Sequence, residues 1–393
     1  MKLFDHALRV LLTTILCTLT FSMSLASKQS DSQLLPQMAE QTLDSVQKYF
    51  RTSDPSLLLE SFPKRSDQKK CSYLWGYSAM ISSVSALYEN TGDAKWEKLM
   101  AEVMLPGLDQ YYDNQREPAG YASYLVNDGS GDRFYDDNIW LGIDMTDMYV
   151  KSGKKGYLDR ALEIWKFVMS GYDQKLEGGI YWCEQKKESK NTCSNAPAAV
   201  FALKLFQATK QRAFLKQGQN LYEWTKKNLE DTTDNLYFDN KSLSGKIQTH
   251  KFSYNAGQML QAATLLFQLT KNKQYLHQAQ NLAEACYKEF FTSKGQNHNN
   301  LVLKGGEKWF DAVMLRGFLQ LYQVSKDDKY LSAFKCTIFT AWHELHSEDK
   351  GLFNNNLLSQ QPRYADNARN PKQSKSLLTQ AAFIEMMARL SNY

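Results

Sequence analysis

The sequence predicts an all-α fold, a closed (α/α)6 barrel of twelve helices, six inner and six outer. Three observations lead there. Apolar residues recur at three- and four-residue intervals in stretch after stretch. A short phrase at helix starts returns every 55–61 residues, the length of two helices with their loops. Loop lengths alternate between a few residues and a dozen or more.

The helical stretches run over about 34–52, 71–91, 94–113, 136–153, 156–171, 194–209, 211–229, 252–271, 273–292, 306–325, 327–345 and 374–391. No run alternates as a long strand does; short β pieces are expected near 179–182 and 236–238. The repeated phrase is a small polar turn followed by an aromatic: Thr91 to Trp96, Ser152 to Tyr157, Thr209 to Phe214, Thr270 to Tyr275 and Ser325 to Tyr330. In an up-and-down array, alternate loops fall on alternate ends, so the long loops gather at one end. An open solenoid of helix pairs is the competing architecture, but solenoids have shorter periods and more even loops. Helices after long loops are apolar, aromatic and small all round, as a doubly packed inner helix must be. Those after tight turns carry more Lys and Glu and form the outer ring.

The N-terminus reads as an export signal. Lys2 and Arg9 precede the short apolar run 10–19, and Ser24 and Ala26 supply small residues for cleavage after Ala26. The expected organisation is therefore a signal peptide at 1–26, a single barrel catalytic domain at 27–393, and a secreted or periplasmic protein. The apolar run is too short and too polar for a stable membrane span. An uncleaved anchor, or lipid attachment at Cys17, fits less well. The net charge of +5 over 393 residues and the lack of a basic cluster argue against a nucleic-acid partner. A monomer is expected. Five cysteines remain after the signal; Cys183 and Cys193 lie ten apart in one loop, and an export compartment would let them pair. No spacing resembles a metal site, and no phosphate loop or nucleophile elbow occurs, so neither metal nor cofactor is expected.

The long loops deliver a consistent set of groups to one barrel end: Trp75; Tyr135, Asp136, Asp137 and Asn138; Trp182; Asn195; Tyr254, Asn255 and Gln258; Trp309. Flat aromatics stack on sugar faces, amides and carboxylates bind hydroxyls, and glycoside cleavage needs two carboxyl groups. Asp136 and Asp137 are the candidate pair. Each residue also has an ordinary structural reading. An Asp-Asp-Asn run is a good helix start, Asn195-Ala-Pro197 is a reasonable cap, and an inner tryptophan packs cores. Their shared placement is what favours a site.

Several ordered phrases carry a family resemblance: Tyr135-Asp-Asp-Asn138 with Trp140, Gly178-Gly-Ile-Tyr-Trp182, Asn195-Ala-Pro197, Tyr254-Asn-Ala-Gly-Gln258 and Thr379–Ala382. The chain resembles glycoside hydrolase family 76, the α-1,6-mannanases, from about residue 70 to the C-terminus. The resemblance implies a retaining, endo-acting hydrolase of α-1,6-linked mannan or mannosyl oligosaccharides, with Asp136 as nucleophile and Asp137 as acid/base. A Lys-rich segment between Cys183 and Cys193 and a loose match near Lys304–Trp309 depart from the pattern. Other readings stay open: a transglycosidase on mannosyl glycans, a non-catalytic carbohydrate-binding barrel, and a sugar epimerase or lyase. The last would want histidine bases, for which only His250 is well placed.

Overall fold

A computed structural model of the chain describes residues 30–294, 301–354 and 374–393; the expected signal segment lies outside them. The helices are α1 (Asp31–Tyr49), α2 (Leu74–Thr91), and α3, which runs from Ala94–Leu99 through a π-helical turn (Met100–Met104) into Leu105–Asp109. They continue as α4 (Tyr135–Ser152), α5 (Lys155–Met169), α6 (Thr192–Thr209), α7 (Arg212–Leu229) and α8 (Ser253–Thr270). The last four are α9 (Lys273–Phe290), α10 (Lys308–Ser325), α11 (Lys329–Leu345) and α12 (Leu377–Leu390). The expected helices are all present, with ends displaced by a few residues.

The even-numbered helices pack in a ring, α2 on α4, α4 on α6, α6 on α8, α8 on α10, α10 on α12 and α12 back on α2. That last contact closes the barrel and excludes the open solenoid. The inner helices are buried on nearly every side, whereas outer helices such as α7 bury one stripe. The repeated turn phrase has a physical cause. At the end of each of five inner helices, a Ser or Thr hydroxyl accepts the N–H two residues on, as Ser152 does from Lys154 at 3.1 Å. The residue between turns left-handed and stops the helix: Gly92, Gly153, Lys210, Lys271 or Lys326. The aromatic that follows anchors the outer helix, with Trp96, Tyr157, Phe214 and Tyr330 all buried.

At the other end the repeat is tighter than periodicity predicts. Every outer helix runs into a short antiparallel hairpin, closed by one backbone hydrogen bond to its last turn or cap. The donors are Leu59, Ala122, Tyr181, Phe238, Lys304 and Asn354; the acceptors are Phe50, Tyr111, Gly171, Leu229, Phe290 and Leu345, at 2.7–3.1 Å. Two further contacts fasten these hairpins to the ring. The fourth residue of an inner helix clasps its own hairpin through a side-chain amide. Asn138 accepts from Tyr121 N (2.8 Å) and donates to Tyr121 O (2.9 Å); Asn195 does the same for Ile180, and Gln380 for Phe353. The first residue's N–H, which the helix itself cannot pair, donates to a carbonyl of the next hairpin. Leu74 reaches Ser123, Tyr135 reaches Trp182, Thr192 reaches Asp239, and Leu377 reaches Glu60 across the closure, at 2.8–3.0 Å.

Close helix approach needs glycine at the α8–α10 contact. A Cβ on Gly257 would sit 2.3 Å from Met314 Cα, and one on Gly317 would sit 2.3 Å from Gly257 O. Backbone cannot yield there as a side chain can. Gly257→Ala should lower the unfolding free energy by about 1–3 kcal/mol, measured by chemical denaturation; unchanged stability would mean the two helices can part freely.

Candidate active site

The first residues of an inner helix divide their tasks by geometry. Successive residues turn by 100°, so the second and fourth point in nearly opposite directions. The fourth faces the hairpin and the second faces the barrel axis. Trp75, Asp136, Cys193, Tyr254 and Trp309 are the second residues of five inner helices, and all five line one cavity of about 540 Å³ at the long-loop end. That is within the roughly 300–1,000 Å³ typical of small-molecule sites. Hairpin residues Ser123, Trp182 and Asp239 lie two positions beyond the strand partner of each outer helix, hence on one face by strand alternation, and they line it too.

Asp136 and Asp137 occupy the first turn of α4 and both reach the cavity. Their surroundings differ. Asp136 Oδ2 accepts the Trp182 indole N–H at 3.1 Å and Oδ1 accepts its neighbour's backbone N–H at 3.1 Å. The Cys193 thiol also donates to it. Burial pushes the Asp136 carboxyl up to about 6, and these donors restrain the rise. Among the described residues, no side chain donates to Asp137. Burial, then the charge of Asp136, push its carboxyl well above the usual range. The pair is thus arranged so that one carboxyl ionises while the other keeps its proton.

Aromatic rings form the walls. Tyr254 stacks on Phe310 at 4.1 Å, Trp75 stacks on Phe310 at 6.0 Å, and Trp182 leans on Phe134 at 4.8 Å. Trp75 and Trp182 keep 37% and 40% of their surface exposed, and Tyr73 at the rim keeps 45%, so ring faces remain free for a ligand. At the floor Trp140 meets Trp309 edge-on at 5.2 Å, with the Arg316 guanidinium 6.0 Å from the Trp140 ring. Arg316 forks onto Glu385 (2.6 and 2.9 Å), which also accepts from Arg389 at 2.7 Å. Burial alone would raise Glu385; the two guanidiniums hold it at about 2.

The structure therefore brings together Asp136, Asp137, Trp75, Trp182, Tyr254 and Trp309. The remaining expected residues stand behind the wall. Asn138 and Asn195 are fully buried and spend both amide ends on backbone. Tyr135 is buried against Phe167 with ring centres 5.0 Å apart. Gln258 is buried and donates to Gln261 at 2.9 Å, and Asn255 is buried away from the cavity with neither amide end partnered. Amides at these positions face neighbouring helices or hairpins because the helix turns them off the axis. Nor do Cys183 and Cys193 pair: both are free thiols, Cys183 bridging to Phe134 in the hairpin layer and Cys193 turned inward toward Asp136. Two of the three lysines between them are held in ion pairs. Lys186 pairs with Asp132 at 2.8 Å, and Lys190 is buried on Asp173 at 2.6 Å and on three carbonyls. Among the described residues, no group of three His, Cys, Asp or Glu side chains is placed to hold a metal ion.

Asp239, Ser123, Cys193 and Phe310 were missed as cavity residues. The hairpin phase would have found two of them: Tyr121-x-Ser123, Ile180-x-Trp182 and Tyr237-x-Asp239 are one pattern.

Residues 35–391 match the family described as glycosyl hydrolase family 76. The chain belongs to that family. Family 76 membership makes it a glycoside hydrolase by descent, on the barrel expected. A curated relative, the meiotically up-regulated gene 191 protein of Schizosaccharomyces pombe, is 30% identical over 158 residues; the match covers 36% of this chain and 35% of that protein. Among solved structures, a family 76 mannosidase of Bacteroides thetaiotaomicron is 28% identical with a TM-score of 0.81, over 91% of this chain and 98% of that one. A family 76 hydrolase from a bovine strain of the same species is 31% identical with a TM-score of 0.82, over 91% and 77%. An α-1,6-mannanase of Salegentibacter sp., solved with α-1,6-mannotriose, is 24% identical with a TM-score of 0.73, over 91% and 99%, and speaks for the fold alone.

The Trp182 donor gives a pH test. Activity that needs Asp136 ionised rises as pH passes its value near 6, and activity that needs Asp137 protonated falls at higher pH. Removing a donor to the ionised form raises the carboxyl. Trp182→Phe should therefore move the acid limb of kcat/KM toward higher pH by about one unit. An acid limb that stays in place would mean the indole N–H does not tune Asp136.

Proposed function

We propose that this chain is a retaining glycoside hydrolase that cleaves α-1,6-mannosidic bonds within mannan. The observation that carries the reading is the asymmetry of the carboxyl pair: Asp136 is fed by three donors, and half-buried Asp137 beside it has no side-chain donor among the described residues. Asp136, ionised, attacks the anomeric carbon. Asp137 delivers its proton to the leaving glycosidic oxygen, and a covalent glycosyl ester forms on Asp136. Asp137, now a carboxylate, takes a proton from water as that water attacks the anomeric carbon. The ester breaks, Asp136 is released, and the double displacement leaves the anomeric configuration unchanged.

Mannan as substrate rests on the family and on a relative described as a mannosidase. The aromatic walls suit a neutral sugar, whose C–H face stacks on rings such as Trp75 and Trp182. A polymeric substrate also fits a secreted or periplasmic enzyme, with residues 1–26 as the export signal and 27–393 as one catalytic unit. Among the described residues no helix is long and apolar enough to cross a membrane.

Incubation with α-1,6-mannan should release α-1,6-linked oligosaccharides, with the α-anomer first by NMR. Asp136→Asn and Asp137→Asn should each lower kcat by about 10²–10⁴-fold. A β-anomer appearing first, or full activity in both variants, would sink the mechanism.

A further inference from the structure

A third carboxylate lines the cavity. Asp239 sits where the hairpin passes over the N-terminus of α6, with its backbone fixed on both sides: Thr192 N donates to its carbonyl at 2.8 Å, and its N–H reaches Gln248 O at 3.0 Å. Its side chain has one described donor, the amide of the adjacent Asn240 at 2.8 Å. Among the described residues no cation is bonded to it, and the ring of exposed His250 lies only at longer range. Its charge is felt by Cys193 and Tyr254, the same two groups that feel Asp136. Asp239 therefore belongs to the same wall as the catalytic pair.

The charge of this cavity is one-sided. Among the described residues, three carboxyl groups line it and no Lys, Arg or His does. Nearby cations are engaged elsewhere: Lys251 on Asp231 and Asp234, Lys308 on Asp311, Arg133 on Glu184. A carboxylate has about four lone-pair sites, and water-poor surroundings make an unfilled one costly. Sugar hydroxyls are the donors that would fill them, and two neighbouring hydroxyls match the two oxygens of one carboxylate.

We propose that Asp239 is a specificity-determining residue. It accepts hydroxyls of the sugar unit next to the cleaved bond and completes an acidic wall that admits neutral glycans and rejects those carrying phosphate or carboxylate groups. The proposal rests on the glycoside hydrolase reading and adds the substrate's charge class to it.

The test measures binding by calorimetry in an Asp137→Asn background. That background slows turnover enough for binding to be measured, and the parent and the double variants share it. The probes are α-1,6-mannotriose and the same trisaccharide with a phosphate on its non-reducing-end 6-oxygen. The parent should bind the neutral sugar at least about tenfold more tightly than the phosphorylated one. Adding Asp239→Asn should weaken neutral binding about tenfold and narrow that gap. Asp239→Glu, which keeps the charge but displaces it, should weaken neutral binding while keeping the gap. Unfolding midpoints matching the parent's identify variants that have kept the fold, and Asp239→Glu serves if Asp239→Asn has not. Parent-like affinities for both sugars in Asp239→Asn, or no gap in the parent, would overturn the proposal. Hydrolysis of α-1,6-mannan by the unsubstituted enzyme, run in parallel, reports separately on the reaction itself.

Discussion

The mouth of this barrel depends on one backbone hydrogen bond, repeated around the ring: the first N–H of an inner helix given to a carbonyl of the neighbouring hairpin. A helix leaves its first N–H groups without internal partners, and an end buried under loops must find them others. Meeting that need from the next repeat places a loop residue directly above the ends of α2, α4, α6 and α12. The pairs that result, Trp75 with Ser123, Asp136 with Trp182 and Cys193 with Asp239, are the site. At α8 the tie is of another kind, the Ser253 hydroxyl donating to Asp311 on α10 at 2.9 Å. Active-site geometry here follows from how the fold satisfies its own backbone.

The architecture was legible because two signals agreed. Helical periodicity located the elements, and the difference in charge between helices after long loops and those after tight turns sorted them into rings. The same reasoning found Asp136, Trp75, Tyr254 and Trp309, each the second residue after a long loop. It failed on Asn138 and Asn195 for a physical reason: an amide at a helix start has the same donors and acceptors whether it faces a sugar or a hairpin strand. Only the 200° between second and fourth positions separates the cases, and that requires the helix start to be known to the residue. Asp239 was hidden differently. It lies in a two-turn segment too short to show a period, and its place becomes plain only when the hairpins are aligned with one another.

Burial decides the electrostatics of the site. Exposed, two adjacent aspartates at a helix start would both ionise, helped by the helix dipole. Closed in by Trp75, Trp182 and Trp309, they cannot, and the donors that reach only Asp136 decide which one does. The ionic core below has the opposite design. Glu385 is fully buried yet stays charged because Arg316 and Arg389 both hold it. The deep carboxylate is thus compensated by two guanidiniums, while the pair above has no cation bonded to it among the described residues. The free energy withheld from the pair is what makes proton transfer near neutrality accessible to a carboxyl group.

The ring is sealed by residues from opposite ends of the chain. Ser61–Phe62 pairs with Lys375–Ser376, and the N–H of Leu377 holds Glu60, while α12 packs on α2. Contacts so distant in sequence form late, after the intervening hairpins have been ordered. Without α12 the remaining inner helices would form an open arc whose mouth lacks one side. The cavity is therefore enclosed only when the two far ends of the described chain meet, and its shape is a property of the closed ring and not of any single hairpin.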